Sequence, residues 1–415
     1  MMLPARALAY AIIVSVFVAI LSLALIQFSE LSRFLRTEQM EQDRLLRNLS
    51  SGVNIVMGNS QDIEPKTIDL FDNQKDSIHI AKHKWGFFNI GLVSAFVNNQ
   101  VIQDTIQKIF LMGAEKSKIL DFALYFPFSN YSLTVSGNTL IVGDVALPKE
   151  GIKSGSIAGV SYTRSKSFYG QQFLPNTPLP SVNKDFLSSI LNLYNTPSPI
   201  SKSIPKSITR SFAETTLFIK GDSLSLDNCI IMGNIIVKSK KAITIGANCQ
   251  ITDAILIAPK IYFKSRFQGS LQAFAFEQLI TEPNTSFYYP SVLALLENKS
   301  YPIKPKLIKL GTHSLLEGLL LFTSETFSPQ KAYISIDEDA LVRGQVFIDR
   351  FGSLELKGNV HGNVTTPSFY RSIAGSLYEN IIVDGTIDRT QLTPNYISPI
   401  FLSTDKRFAL MRLMY

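Results

Sequence analysis

The sequence predicts a mainly β protein, in which an N-terminal transmembrane helix and an amphipathic helix precede a small β domain and an irregular β-helix (β-solenoid) with insertions. An uncharged apolar run extends from Ala7 to Phe28. Short aliphatic segments recur every 18 to 20 residues between 224 and 364. Of the 415 residues, 46% are hydrophobic and 18% are charged, which excludes a disordered chain and allows a large buried core.

The apolar run has the length of a membrane-spanning helix. At about 1.5 Å per residue, a helix of this run crosses a hydrocarbon core of about 30 Å. It is longer than the apolar part of a signal peptide, and no A-x-A site follows it. Residues 1–29 are therefore expected to form an uncleaved signal anchor, with residues 7–28 in the membrane.

The side of the membrane on which the body lies can be argued in two ways. Arg6 precedes the run, whereas Arg33 and Arg36 follow it, so the basic-residue rule favours the C-terminal side inside. The polar body, rich in Ser, Thr and Asn, favours export. We expect a single-pass inner-membrane protein with its β body in the periplasm or outside the cell.

An amphipathic helix is expected over 30–58, because Leu31, Leu35, Leu45, Leu49 and Val53 follow a helical spacing. Two interpretations stay open for this stripe. It packs on its own domain, or it forms a stalk that pairs with another protein. Residues 59–125 are expected to form a small β-rich domain, since 77–82 and 85–90 have strand composition.

Internal repeats predict the fold of the remainder of the chain. Leu224, Ile243, Ile261 and Leu279 are separated by 19, 18 and 18 residues. A second array repeats 334–336 at 354–356 and 342–346 at 360–364. A period of this length is typical of stacked coils, each of which buries its apolar edge against the next. Coils are expected in 126–151, 216–285 and 332–385.

Three segments interrupt or follow the repeats. Residues 152–215 are expected to form a Ser/Pro-rich insertion with one helix near 185–194, and 286–331 a second insertion with a helix near 292–297. The C-terminal segment 386–415 is expected to cap the last coil, because an uncapped solenoid exposes a strand edge.

Three families share features with this chain. The segment Ser353–Val364, with its apolar-x-Gly-x-Val steps, resembles the repeat of bactofilins, which implies a bacterial, polymer-forming β-helix. The layout of apolar run, amphipathic helix and small β domain is similar to that of type IV pilins and pseudopilins, without the prepilin signature. The segment Ile245–Ala254 resembles the hexapeptide repeat of β-helix acyltransferases, whose catalytic His has no counterpart in this region.

No pattern in the sequence predicts a catalytic, cofactor-binding or metal-binding residue, and none is assigned. His79, His83, His313 and His361 have no ligand spacing, and the acidic run 337–339 is interpreted as a solvated turn. The net charge of +7 is scattered, so nucleic-acid binding is not expected. Cys229 and Cys249 are either two small buried side chains or a bridged pair.

These features together predict a non-enzymatic structural or assembly protein of the bacterial cell envelope, which contacts a protein partner or another copy of itself. The alternative is an envelope β-helix that binds or cleaves polysaccharide. A row of outward acids with Tyr would favour the alternative, and a scattered polar face would favour assembly. The expected contacts are 342–364 and the aromatics Phe287, Tyr288, Tyr289 and Tyr370.

Overall fold

The computed structural model describes residues 5–72, 74–98, 105–115, 118–127, 131–175, 179–200, 204–298, 301, 306–324, 331–405 and 407–414. It is mainly strand, with one long apolar N-terminal helix. The chain divides into two compact units. The helical unit comprises residues 1–56, 63–81 and 92–108, and the stacked unit comprises residues 57–62, 82–91 and 109–415.

The helices are α1 (Ala5–Gly58) and α2 (Lys184–Asn195), with short 3₁₀ turns at Lys118–Asp121 and Arg389–Gln391. Residues 5–58, the described part of the segments 1–29 and 30–58 that were predicted as two helices, form a single continuous helix. No Pro or Gly interrupts the chain between Ala5 and Ser51, so nothing in the sequence breaks the hydrogen-bond ladder. Helix α2 confirms the helix predicted near 185–194.

Thirty strands are described. The first twelve are β1 (Ile63–Ile68), β2 (Asp76–Trp85), β3 (Phe88–Val97), β4 (Thr105–Ala114), β5 (Leu124–Tyr125), β6 (Leu133–Ser136), β7 (Leu140–Val142), β8 (Val145–Ala146), β9 (Ile152–Ser154), β10 (Ser156–Ile157), β11 (Val160–Ser161) and β12 (Gln172–Phe173). The next nine are β13 (Ser207–Arg210), β14 (Leu217–Leu226), β15 (Ile230–Gly233), β16 (Ile235–Ile245), β17 (Gln250–Phe263), β18 (Gln268–Thr281), β19 (Ser286–Leu296), β20 (Leu307–Leu310) and β21 (Leu315–Thr323). The last nine are β22 (Ala332–Ile336), β23 (Leu341–Ile348), β24 (Gly352–Leu356), β25 (Asn359–Thr365), β26 (Tyr370–Ile373), β27 (Ser376–Glu379), β28 (Ile381–Val383), β29 (Thr386–Asp388) and β30 (Phe408–Met414).

In the helical unit, the last part of α1 packs against sheet residues of the same unit. Leu45, Leu49, Val53 and Val56 are buried, whereas the earlier stripe residues Leu31 and Leu35 are exposed. A Cβ at Gly52 would lie 2.5 Å from Val93 Cγ1, so this glycine permits the close approach of helix and sheet. The stripe therefore packs on its own domain from Leu45 onward, and its earlier part is uncovered.

The stacked unit contains three parallel ladders, which we call stacks A, B and C. Stack A comprises 207–210, 230–233, 250–252, 268–270, 286–287, 315–318, 341–344, 359–362, 386–388 and 140–142. Stack B comprises 217–221, 235–239, 255–258, 272–275, 292–296, 319–323, 345–348, 363–365, 124–125, 145–146 and 172–173. Stack C comprises 223–226, 242–245, 260–263, 278–281, 307–310, 332–336 and 352–356.

From 230 to 356 the chain contributes a strand to stack A, then to B, then to C, and then returns to A. This path is compatible with a solenoid. The pairing register follows the sequence period. Leu224 pairs with Ile243, Ile243 with Ile261, and Ile261 with Leu279, as their spacing predicts. The second array is confirmed as well, because Ile334 pairs with Leu354. These aliphatic side chains lie one above another in the core, where burial of their apolar area stabilises the stack.

The segment 286–331 is not an insertion between two arrays, and no helix forms near 292–297. Residues 286–296 form strand β19, which pairs with β18 and β21. Leu279 then pairs with Ile308, and Ile308 with Ile334, so the two arrays form one continuous ladder. The spacing widens here because extra residues lie between β19 and β20 and between β21 and β22. The run from Ser291 is apolar on both faces, since both faces of this strand are buried.

Strands that come early in the chain lie at the far end of the stack, next to strands from its C-terminal part. β5 pairs with β25, and β7 pairs with β29, so residues 124–146 continue the ladder beyond residue 388. β12 then pairs with β8 at that end. β6 joins β28 and β9 in a separate three-stranded parallel sheet. The coils predicted in 126–151 therefore form strands, but they follow the coils of 332–385 in space.

The C-terminal segment does not close the last coil. β30 pairs antiparallel with β4, with Phe408 opposite Ala114 and Met414 opposite Ile109. The five strands of this sheet lie in the order β1-β2-β3-β4-β30. Thr105–Ala114 is a single strand. The apolar C-terminal sequence thus completes a sheet edge, which satisfies backbone groups that β4 would otherwise leave open.

Candidate functional site

The outward side chains of stack C form two mixed columns. These side chains alternate along each strand with those of the core ladder, and Ser335, Ser353 and Glu355 are themselves buried. The first column is Ser223, Ala242, Lys260, Gln278, Leu307, Tyr333 and Ser353. The second column is Ser225, Thr244, Tyr262, Ile280, Lys309, Ser335 and Glu355. A carboxylate appears once in the two columns, so this face lacks the row of acids that the polysaccharide-cleaving alternative requires.

The outward surface of stack A combines leucines with a short charge ladder. Leu315 and Leu341 are half-buried neighbours in register. In the next column, Glu317 lies beside Arg343, with Arg343 Nη1 2.9 Å from Glu317 Oε1. His361 follows Arg343 in this column. Burial lowers the pKa of His361, and its charged neighbours oppose each other, since Asp388 raises that pKa and Arg343 lowers it.

The corner between stacks A and B explains the glycines of the bactofilin-like steps. Gly318, Gly344 and Gly362 are in register and have φ values of +145°, +145° and +155°. A Cβ at Gly344 would lie 2.0 Å from the carbonyl oxygen of Gly318, and a Cβ at Gly362 would lie 1.8 Å from that of Gly344. Backbone crowding therefore demands glycine at these levels of the corner.

A basic groove lies beside the last coil. It has a volume of about 710 Å³ and is lined by residues 152–154, 162 and 164–170. Lys153 and Lys166 are exposed, Arg164 is half-buried, and Tyr162 and Tyr169 provide aromatic surface. The Tyr162 hydroxyl donates to the carbonyl oxygen of Lys166 at 2.6 Å, which fixes one wall. The lining contains three cationic side chains and no carboxylate, so the groove suits an anionic ligand.

The acidic run and His313 are corner residues. Asp339 and His313 have left-handed backbones, with φ of +55° and +54°, at the corner that leads into stack A. Arg266 and Asn284 occupy the equivalent corner positions, with φ of +67° and +61°. Asp337 accepts from Ser335 Oγ at 2.7 Å. These contacts agree with the interpretation of the acidic run as a solvated turn.

The remaining two histidines, His79 and His83, lie in strand β2. His79 Nδ1 contacts Thr67 Oγ1 at 3.3 Å, within the helical unit. Burial lowers the pKa of His83, in the stacked unit. Among the described residues, no group of three or more His, Cys, Asp or Glu side chains could hold a metal ion.

Most of the aromatics expected at a contact surface are wholly or partly covered. Phe287 is fully buried in the core between stacked coils, because it follows the register of Ile251 and Leu316 rather than facing out. Tyr370 is buried and packs edge-on against Tyr333, and Tyr289 is half-buried, with its hydroxyl donating to the carbonyl oxygen of Ile397. Tyr288 is 43% exposed, so it alone of the four is an open aromatic.

Lys238 is buried, although Lys240 and Lys241, close to it in sequence, are exposed. Its Nζ donates to the carbonyl oxygens of Leu193 at 3.0 Å, Tyr194 at 3.3 Å and Thr196 at 2.5 Å. These are carbonyls at the C-terminal end of α2, where a cation is favoured. Burial lowers the pKa of Lys238, with a smaller contribution from Lys220. Only the contact between α2 and the stack distinguishes Lys238 from the exposed Lys240.

Two cysteines meet inside the first coils of the stack. Cys229 Sγ and Cys249 Sγ are 3.0 Å apart, and both residues are buried and free. The hydrogen bond from the Cys229 thiol lowers the pKa of Cys249 to about 7, whereas the pKa of Cys229 is raised. Their separation of 20 residues in the sequence indicates that they lie close together, because it matches the length of one coil.

The N-terminal half of α1 is an uncovered apolar surface. Within the part of the chain that the structure describes, Ala7–Gly58 is long and apolar enough to cross a membrane, and none of its most apolar window is buried. Its large apolar side chains from Leu8 to Phe28 are between 49% and 72% exposed. Such a helix can serve as a membrane anchor or a signal.

Comparisons with family models, with curated proteins and with solved structures found no significant match to this chain.

Proposed function

We propose that the chain is a single-pass, membrane-anchored structural or assembly protein of the bacterial cell envelope, without enzymatic activity. The observation that carries the proposal is the apolar surface of residues 7–28, which no other described part of the chain covers. In water this surface would be unfavourable by about 25 cal/mol per Å², so it requires a bilayer or a partner. The mixed outward columns of stack C support assembly over polysaccharide cleavage.

The body of this protein is, in our proposal, a β-solenoid that lies in the periplasm or outside the cell. The three parallel stacks and their return path support the solenoid. Protease added to intact cells, to cells with a permeabilised outer membrane, and to lysates tests the location. Digestion of the body before the inner membrane is opened is expected, and digestion only after inner-membrane lysis would contradict the outward orientation.

The membrane anchor has its own test. Leu21→Lys places a charge in the middle of the apolar run, and it should shift the protein from the membrane pellet to the soluble fraction. Leu46→Lys is the matched control, because Leu46 is an exposed leucine of the same helix outside the run. It should leave the protein in the pellet. Equal membrane retention of both variants in carbonate extraction would contradict a spanning role for residues 7–28.

The outward leucines of stack A are the proposed contact with a protein partner or a second copy. Leu315 and Leu341 form an apolar pair near the Gly-Val coils of 342–364. The double variant Leu315→Asp/Leu341→Asp should reduce the assembly size of the full chain in detergent, measured by light scattering. Gln250→Asp/Gln268→Asp is the matched control on the same column. A wild-type protein that is strictly monomeric and has no co-purifying envelope protein would contradict the assembly role.

The basic groove favours a second candidate function, the binding of an anionic polysaccharide. Its cations and tyrosines match carboxylate or sulfate groups on a sugar chain. Retardation of the full chain by polygalacturonate but not by dextran is the expected result. Lys153→Glu/Lys166→Glu should abolish the retardation, and Lys240→Glu/Lys241→Glu should keep it. Equal behaviour of the two double variants would remove the groove as the binding site.

A further inference from the structure

Cys229 and Cys249 occupy the same level of two successive coils. Cys229 precedes Ile230 and Cys249 precedes Gln250, and these two following residues pair in register in stack A. The backbone N–H of Gln250 donates to the carbonyl oxygen of Cys229 at 2.8 Å. Adjacent strands lie about 4.8 Å apart, which is within the Cα separation that a disulfide bridges. The 3.0 Å between the two sulfur atoms requires only a small approach.

The position of Cys229 and Cys249 near the end of the stack means that a disulfide between them would stabilise the terminal coil. The coil of β13 and β14 is the first of the stack. Within the described residues, β13 pairs with β15, and β14 pairs with β16. A terminal coil opens more easily than an internal one, because it has neighbours on one side only. A link between Cys229 and Cys249 would hold this coil to the next.

We propose that Cys229 and Cys249 form a disulfide that fastens the first coil of the stack to the second. The oxidant is a small-molecule or protein disulfide, and the steps are thiol–disulfide exchange. Cys249 attacks as the thiolate, forms a mixed disulfide with one sulfur of the oxidant, and expels the other sulfur as a thiolate. Cys229 then loses its proton and attacks Cys249 Sγ, which expels the second sulfur.

The exchange balances in electrons and in protons. Two cysteine thiols are oxidised to one disulfide, and one oxidant disulfide is reduced to two thiols, which take up the two protons. Access to the buried sulfurs is provided by local opening of the terminal coil. The depressed pKa of Cys249, caused first by the hydrogen bond from Cys229, supplies thiolate near neutral pH.

The test uses the full chain in detergent micelles with oxidised glutathione. After reaction, free thiols are blocked with iodoacetamide and the peptides are mapped by mass spectrometry. The expected product is one peptide pair joined through Cys229 and Cys249, with a rise of about 5 °C in the thermal midpoint. Cys229→Ala/Cys249→Ala is the matched control and should show neither change. Alkylation of both cysteines in the oxidised sample, or a link between two chains, would overturn the inference.

The redox state in cells separates this inference from the proposed location. Rapid acid trapping followed by alkylation reports whether the pair is oxidised in the cell. An oxidised pair agrees with a body outside the cytoplasm. A pair that is reduced in the cell but links with glutathione leaves the disulfide inference standing and contradicts the outward orientation. A pair that fails to link with glutathione overturns the inference wherever the body lies.

Discussion

Leu124 pairs in register with Val364, although the two residues belong to opposite ends of the repeat region. Both are fully buried. The Val364 N–H donates to the carbonyl oxygen of Ala123 at 2.8 Å, and the Thr366 N–H donates to that of Tyr125 at 3.1 Å. The segment before the long insertion thus continues the ladder that the segment after it builds, so the stack is stabilised by contacts that only the complete chain can make.

Leu124→Ala should lower the free energy of unfolding by about 2–5 kcal/mol, because it removes a buried side chain and leaves a cavity. It should also speed hydrogen exchange of the Val364 and Thr366 amides, since their acceptors flank residue 124. Leu377→Ala is the control, because Leu377 is 52% exposed. Exchange at Val364 that is the same in both variants would contradict the continuity of the ladder.

Gly344→Ala should destabilise the stack by about 3 kcal/mol. The new Cβ would lie 2.0 Å from the carbonyl oxygen of Gly318, and the φ of +145° is unfavourable for any L side chain. Urea unfolding of the full chain in detergent measures the change. Gly58→Ala is the comparison, since a Cβ at Gly58 meets nothing within 4 Å. A Gly344 variant as stable as the Gly58 variant would show that this corner is not crowded.

Lys238→Met should cost about 2–4 kcal/mol, because the three carbonyl oxygens at the end of α2 lose their charged donor. The variant should also become sensitive to protease around α2. Lys240→Met tests the opposite case, since Lys240 and its partner Asp222 are both 61% exposed and such a pair contributes less than about 1 kcal/mol. We expect a clear difference between the two midpoints of thermal unfolding, and equal midpoints would refute the capping role.

Lys82 should give the stability a pH dependence above neutrality. Burial lowers its pKa from 10.5 to about 8, while Nζ donates to the carbonyl oxygen of Asn59 at 2.5 Å and lies 3.9 Å from the centroid of the Phe408 ring. Between these two pKa values the unfolded chain binds more protons than the folded chain. The contribution of Lys82 to the unfolding free energy therefore rises with pH from about 8 to about 10.5.

Lys82→Met should remove this rise, and Lys84→Met should keep most of it, because burial lowers the pKa of Lys82 more than Lys84 does. Urea unfolding of the wild type and both variants, at a series of pH values from 7 to about 10.5, isolates the contribution by difference. A rise of the same size in wild type and Lys82→Met would assign it to other groups.

The repeat period was readable from the sequence wherever coils had similar lengths. Leu224, Ile243 and Ile261 gave the correct register because the spacings between them, 19 and 18 residues, differ by one residue. Ile308 was missed, since widened spacing on both sides hides it among residues that read as an insertion. The buried positions of Phe287 and Lys238 were missed for a different reason. Apolar or charged composition does not reveal which face of a strand another element covers.

The sequence by itself determined the apolar N-terminal run, the strand-rich composition and the coil register, because each depends on residues near one another in the chain. The tertiary structure decided which coil ends each stack and which lysine is buried. These features depend on pairings such as Leu124 with Val364, where chain separation gives no local signal and the free energy comes from burial between distant segments.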